Sequence, residues 1–310
     1  MRTWRQTEGL ILNTLIIIPA RYASTRYPGK PLVMLKGANG RSLTLIQRSW
    51  EVAKTVNEAQ RVIIATDDIR IKNHAEGFGA EVVMTSEDCK NGTERCAEAI
   101  GLIKETYDIV INFQGDAPLT PKWFVTDLIN ALKANKNFSV ATPALGCDFK
   151  MASDLINDRK NGRVGGTTVV FGKNNSALYF SKEVLPFMPR DSLHRNRVPI
   201  YHHVGVYGYR VDILSRYRNW ESGKLESNEG LEQLRFLENN EEILCVESDS
   251  KGLKFWELNN PEDVDTNVED HAYDALRYMI MSRPRMESPF DRIRGLKRDI
   301  YQPVDSTFGY

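Results

Sequence analysis

The sequence is poor in the features that mark many protein classes. Its four cysteines, Cys89, Cys96, Cys147 and Cys245, form no CxxC pair and are too sparse among 310 residues for a disulfide scaffold, so free buried or partly buried thiols are expected. Net charge is also missing: 41 Lys and Arg balance 41 Asp and Glu. No global basic field draws the chain to nucleic acid, and any anion binding has to be local. No apolar run approaches the roughly 18 residues that cross a bilayer. The stretch Leu10–Ala20 behind Arg2 and Arg5 resembles a leader core at first sight, but Asn13 and Thr14 interrupt it and a charged, glycine-containing segment follows. It reads as a buried strand, and the chain as a cytoplasmic protein. Internal repeats and low-complexity tracts are absent too.

What is present is ordinary for a soluble globular chain: 41% apolar and 26% charged residues, enough to bury a sizeable core. The length suits one large α/β domain with an inserted lobe, or two smaller units. Through the first 145 residues, short apolar runs alternate with helical patterns. Strands are predicted at Leu15–Ile18, Val62–Ala65, Glu81–Met84, Ile109–Phe113 and Ser139–Thr142. Helices are predicted at Leu43–Val56, Ile69–Phe78, Glu94–Lys104 and Pro121–Ala134. Strands that are nearly all apolar are covered on both faces, so this half is a doubly wound, mostly parallel sheet. In such sheets ligands sit beyond the carboxyl ends of the strands.

The second half is more mixed. Strands are predicted at Gly162–Phe171, Ala177–Phe180, His203–Tyr209 and Ile243–Glu247, and helices at Val211–Trp220, Leu231–Glu238 and Pro261–Ser282. This describes a mixed α/β region inserted against the main sheet. After Ser282 the chain turns polar, with Arg283, Arg285, Arg292, Arg294, Lys297 and Arg298. That tail either wraps a partner or hangs free.

The loop after the first strand carries the chemistry. It reads Pro19-Ala20-Arg21-Tyr22-Ala23-Ser24-Thr25-Arg26-Tyr27-Pro28-Gly29-Lys30-Pro31, which is neither GxGxxG nor GxxxxGK[ST]. Three cations, Arg21, Arg26 and Lys30, on a strand-to-helix loop make a triphosphate cradle, because backbone N–H groups there already favour anions. A solvated basic loop is the plain alternative. Asp116, after the strand Ile109–Phe113, is a hard oxygen donor suited to Mg²⁺, or else a turn aspartate.

The strings IIPARYASTRYPGKPL (from Ile17), ATDD (Ala65–Asp68), GAEVVMTS (Gly79–Ser86), NGTER (Asn91–Arg95), NFQGDAPL (Asn112–Leu119) and YGYR (Tyr207–Arg210) together closely resemble the 3-deoxy-manno-octulosonate cytidylyltransferases, the CMP-Kdo synthetases. The matches run in order from about Thr14 to Asp263. The resemblance implies a sheet of the nucleotide-diphospho-sugar transferase type with an inserted mixed α/β acceptor and dimerisation region. It implies a single domain over residues 1–282: a CTP-binding half (14–145), an acceptor and dimerisation half (146–260) and a closing helix (261–282), followed by a basic tail (283–310). It further implies transfer of CMP from CTP to the acidic sugar Kdo with release of pyrophosphate, Mg²⁺ as cofactor, and a homodimer without nucleic-acid or membrane partners. The product would serve lipopolysaccharide or capsule assembly.

Carried over residue by residue, the resemblance places the nucleotide against Ala20, Arg21, Ser24, Arg26, Lys30, Thr66, Gly92 and Thr93. Arg21, Lys30 and Asp116 become the catalytic set. The acceptor falls to Gln114, Lys182, His203, Tyr207, Glu232 and Gln233, with Tyr209 and Arg210 in the same strand. The metal falls to Asp116 and to Asn259, which stands where the family generally has a second aspartate. Other departures are Asn91 for a serine, Ala117 for a glutamate and Lys182 for an arginine. A neutral Asn259 weakens a hard-cation site, and Lys182 offers a point charge where a guanidinium forks onto a carboxylate. Two rival readings therefore stand beside Kdo: cytidylylation of a different acidic acceptor, or a catalytically weak nucleotide-binding homologue.

Overall fold

A computed structural model describes residues 12–23, 28–36, 41–188 and 198–251. The first half runs β1 (Thr14–Ala20), β2 (Met34–Lys36), β3 (Ser42–Thr44), α1 (Leu45–Ala53), β4 (Arg61–Thr66), α2 (Ile69–Gly77), β5 (Glu81–Met84), α3 (Gly92–Leu102), β6 (Ile109–Asn112) and α4 (Lys122–Ala134). The second adds β7 (Val140–Gly146), α5 (Phe149–Lys160), β8 (Thr168–Phe171), β9 (Ala177–Ser181), β10 (Tyr201–His203), β11 (Tyr207–Arg210), α6 (Val211–Tyr217), α7 (Lys224–Glu229), α8 (Leu234–Glu238) and β12 (Ile243–Ser248). β5, β4, β1 and β6 lie side by side in parallel.

β1 shows why the sequence forms this layer. All seven of its residues are buried, and they alternate between two cores. Ile16, Ile18 and Ala20 join Ile46 of α1 and Phe124 and Leu128 of α4 on one side. Leu15 and Ile17 join Cys96 and Ala99 of α3, Ile213 of α6 and Phe236 of α8 on the other. A strand apolar throughout from Leu15 to Ala20 has to be covered twice, as a period of two dictates. The helices begin where short polar side chains cap them: Thr44 accepts from the Gln47 amide, Asp68 from Arg70, Asn91 from Glu94 and Asp148 from Met151.

The strands of the mixed second half extend the sheet. β11 runs antiparallel between β6 and β7, and β12 lies parallel on the other side of β7. β10 also pairs with β7 but continues outward to β8 and β9. The predicted strand His203–Tyr209 is therefore one extended run broken at residues 204–206, whose two parts feed different neighbours. Thr142 of β7 sits at the break, donating to the carbonyl of Val206 at 2.9 Å. The expected helix Leu43–Val56 starts later, because Leu43 and Thr44 belong to β3. α5 was not foreseen: only Ala152 and Leu155 are buried in it, too thin an apolar stripe to read. The expected helix Pro261–Ser282 lies outside the described residues.

All four cysteines are free and buried. Burial pushes the thiols of Cys147 and Cys245 up to about 12 and, with the Glu98 carboxylate, that of Cys89 to about 11, so they stay protonated and unreactive. Among the described residues no helix is long and apolar enough to cross a membrane.

Candidate active site

The carboxyl ends of β1 and β6 lie side by side, since Ile17 pairs with Asn112, and the loops beyond them meet. Gly115 makes the approach possible: a Cβ there would stand 2.9 Å from the Pro19 carbonyl oxygen. The Ser49 hydroxyl of α1 donates to the Gly115 carbonyl at 3.0 Å and fastens the turn from beneath. Asp116 follows at the rim, its side chain about half exposed, and the Lys30 ammonium stands 2.7 Å from its Oδ2. The cationic loop and the acidic tip, 86 residues apart in sequence, thus converge on one spot.

Local chemistry holds the ends of the cationic loop. Gly29 adopts φ 74°, a conformation costly for other residues, and its N–H donates to the Tyr22 carbonyl at 2.9 Å. The Arg70 guanidinium lies 3.3 Å from the Tyr22 ring centroid and is itself gripped by Asp68, whose carboxyl that guanidinium holds below the usual range. Ala20 is buried at the end of β1 and Arg21 is exposed. Ser24, Arg26 and Asn259 lie outside the described residues. Thr66 is fully buried and its hydroxyl accepts from the Asp68 amide at 3.2 Å.

On the far side of the β1–β6 tips, α3 begins. Gly92 faces inward: a Cβ there would stand 3.3 Å from Asn112 Nδ2 and 3.4 Å from both Gln114 Nε2 and the Pro19 ring. Thr93 is enclosed, its amide donating to Glu232 Oε2 at 2.9 Å and its hydroxyl bonded to the Tyr209 phenol at 2.7 Å. Burial raises the Glu232 carboxyl, while the Thr93 hydrogen bonds pull the other way.

Glu232 opens the second wall. The Tyr207 phenol donates to Gln233 Oε1 at 3.0 Å, and both residues are buried. Tyr207 lies between His203 and Tyr209, with ring centroids 5.5 and 5.9 Å away, so the three share one face as alternation requires. His203 Nε2 sits 3.0 Å from the Thr142 hydroxyl. That hydroxyl gives its proton to a backbone carbonyl, so Nε2 carries the ring hydrogen. Burial lowers the His203 imidazole to about 3, keeping it neutral. His202 points to the opposite face, where Gly166 leaves room for its ring; burial lowers it to about 4.

The Lys182 backbone N–H donates to Glu229 Oε2 at 2.9 Å, and Ser181 donates to Oε1 at 2.6 Å. Gly230 follows in the left-handed region (φ 62°), and a Cβ there would stand 3.0 Å from the Lys182 ammonium. Arg210 is not part of this wall. It pairs with Ile109 at the amino end of β6, the opposite edge of the sheet. There its guanidinium donates to the carbonyls of Leu132 and Phe138 and caps α4.

Three groups escaped the sequence reading. Tyr22 is a loop residue with no periodicity to mark it, and Arg70 is an exposed position in the first turn of α2. Glu229 and Gly230 carry a cap signal that is legible only once α7 is known. Asn112 stood inside the matched NFQGDAPL string, and its polar side chain on an otherwise apolar strand was the available signal. Among the described residues no group of three or more His, Cys, Asp or Glu is placed to hold a metal. Asp116 alone fits the modest demand of an ion whose remaining ligands are phosphate oxygens and water.

Residues 15–243 match the protein family described as cytidylyltransferase. A 3-deoxy-manno-octulosonate cytidylyltransferase of Maricaulis maris is 43% identical over 252 residues, covering 81% of this chain and 94% of the relative. An 8-amino-3,8-dideoxy-manno-octulosonate cytidylyltransferase of Shewanella pealeana is 38% identical over 255 residues, covering 82% and 96%. Among solved structures, a CMP:2-keto-3-deoxy-manno-octonic acid synthetase complexed with CTP superposes with a TM-score of 0.66 at 32% identity, over 76% of this chain and 90% of that one.

Proposed function

The chain belongs to the cytidylyltransferase family, and we propose that it transfers CMP from CTP to Kdo or a close ulosonic acid, releasing pyrophosphate. The observation that carries this reading is the meeting of Lys30 and Asp116 at 2.7 Å beyond the paired tips of β1 and β6. A cation for phosphate oxygens and a hard donor for a metal stand where an α/β sheet places its ligand.

Nucleotidyl transfer asks for alignment and charge compensation more than covalent help. Arg21, Arg26 and Lys30 grip the triphosphate. In the unliganded chain Lys30 and Asp116 neutralise one another; with nucleotide present Lys30 turns to phosphate oxygens and frees the carboxylate. Family members generally use a divalent ion; Asp116, with Asn259 as a weaker oxygen donor, would hold Mg²⁺, which would supply further charge compensation on the triphosphate. Gln114, Lys182, His203, Tyr207, Glu232 and Gln233 hold the acceptor so that its anomeric hydroxyl faces the α-phosphorus opposite the leaving pyrophosphate. Gly92 and Thr93 border the base and Thr66 supports the nearby strand end. Residues 14–145 supply the CTP-binding half and residues from 146 onward the acceptor half. The enzyme works as a cytoplasmic homodimer.

Incubation with CTP, Mg²⁺ and Kdo should yield CMP-Kdo by mass spectrometry, together with pyrophosphate. Silence with Kdo but turnover with another sugar acid would move the acceptor and keep the reaction class. Lys182, Ala117 and Asn259 favour including such alternatives, the 8-amino sugar first, because one relative is named for it. CTP binding without turnover on any acid would refute the enzyme and leave a nucleotide-binding homologue.

A further inference from the structure

Asn112 ends β6 with a side chain that is fully buried, yet neither its Nδ2 nor its Oδ1 has a hydrogen-bond partner among the described residues. Protein interiors rarely tolerate this, because both ends of the amide lose water and gain nothing. An apolar residue would fit the pattern of Ile109–Ile111 before it.

The surroundings show what the amide addresses. Asn112 and Gln114 are alternate residues, and their amide nitrogens converge on the open side of Gly92, where a Cβ would touch both. Asn112 is also the register partner of Tyr207 in β11, and directly opposed side chains on one face are neighbours. Tyr207 in turn occupies Gln233 Oε1, while Gln233 Nε2, equally buried, has no partner among the described residues. The whole Asn112 amide and the Nε2 end of Gln233 therefore flank one phenol without partners among the described residues, at the seam between the nucleotide side and the acceptor side. Neither is charged, so the matching ligand is neutral at that point and both donates and accepts, as a hydroxyl does.

We propose that Asn112 is a specificity-determining residue whose carboxamide reads hydroxyl groups of a polyhydroxylated ligand, donating from Nδ2 and accepting at Oδ1. The inference rests on the cytidylyltransferase reading. It assigns the ligand's chemistry rather than its source, which is either the acceptor's chain of hydroxyls or the ribose diol.

The test compares wild type with Asn112→Leu, close in shape but apolar, and Asn112→Ser, which keeps one polar group. Melting is measured without ligands, and KM for CTP, 2′-deoxy-CTP and Kdo is measured with Mg²⁺. A ligand-reading Asn112 is carried at the expense of stability, so Asn112→Leu should melt at or above the wild-type temperature while a substrate KM rises at least about tenfold. A rise confined to Kdo assigns the hydroxyls to the acceptor. A rise for CTP that is absent with 2′-deoxy-CTP assigns them to the ribose. Unchanged KM values overturn the inference and leave the enzymatic reading standing. A fall in melting temperature with unchanged KM shows a structural amide and also overturns it. If Asn112→Leu does not fold, Asn112→Ser decides through its KM values alone. If wild type turns over no sugar acid, the functional reading fails, and the melting comparison still decides whether Asn112 stabilises the unliganded fold.

Discussion

The two walls of the site are built on opposite principles. On the β1 side the charged groups stand at the surface: Arg21 is exposed, and Lys30 and Asp116 keep 25% and 51% of their side-chain area in water. On the β11 side Tyr207, Gln233 and His203 are buried and uncharged, with Glu232 beside them and Lys182 at the wall's partly exposed edge. On the proposed assignment of triphosphate to the first wall and sugar to the second, the difference follows from what each wall would meet. A triphosphate brings several charges and offers many equivalent oxygens, so cations at the solvent-facing rim serve to compensate it. A sugar presents one pattern of hydroxyls, which only fixed, dehydrated partners can distinguish.

Substitutions on the exposed wall should damage rate without damaging the fold, and the largest effect belongs to Asp116. Asp116→Ala should lower kcat by about 10²–10³, with unchanged melting temperature and a shifted Mg²⁺ titration. An equal loss of rate and stability would show that the carboxylate serves the turn instead. Arg21→Ala comes next, with KM for CTP rising and kcat falling by about tenfold each, as loss of a charge-assisted contact implies. Steady-state kinetics at two salt concentrations check it, because a surface cation should matter less at high salt.

The sealed wall should show itself in acid. The His203 and His202 imidazoles sit at about 3 and 4 when folded, against 6.5 in the open chain. Between these values the unfolded chain binds more protons than the folded one, so stability is complete above pH 6.5 and declines as pH falls toward 4. Each histidine should contribute on the order of 1 kcal/mol per pH unit in that window. The raised Glu232 carboxyl acts in the opposite sense. Urea melts at pH 7, 6 and 5 measure the net slope, and His203→Asn should reduce it; a flat profile would contradict neutral burial. The smallest effect falls at the edge of the wall. Gly230→Ala imposes a left-handed alanine and crowds the Lys182 ammonium, costing about 1 kcal/mol of stability. Acceptor KM should rise modestly while KM for CTP stays unchanged.

The sheet of the first half was legible because its signal is local. The alternation of Ile16 and Ile18 against Leu15 and Ile17 needs only neighbouring residues, and β5 was predicted at its observed limits, Glu81–Met84. The meeting of Lys30 with Asp116 was readable as chemistry, since both follow strands of one parallel sheet. The sealed wall was harder. The role of Tyr207 depends on Gln233, 26 residues on, and that of Thr93 on Glu232, 139 residues on; no period links such pairs. Arg210 shows the reverse error. Three residues beyond Tyr207 on one strand, it has travelled to the far edge of the sheet, where it serves a helix end. α5 remained hidden because a helix that buries two side chains hardly differs in pattern from a polar loop.

The break at residues 204–206 has its own consequence. Tyr201–His203 leads to the β8–β9 ribbon and Tyr207–Arg210 lies antiparallel between β6 and β7, yet they are one covalent segment. The β10–β11 segment is consequently not an exchangeable cassette: a ribbon grafted from a relative would bring its own tether and displace the tyrosine seated opposite β6. Retuning this enzyme toward new sugars has to proceed by point changes along existing strands.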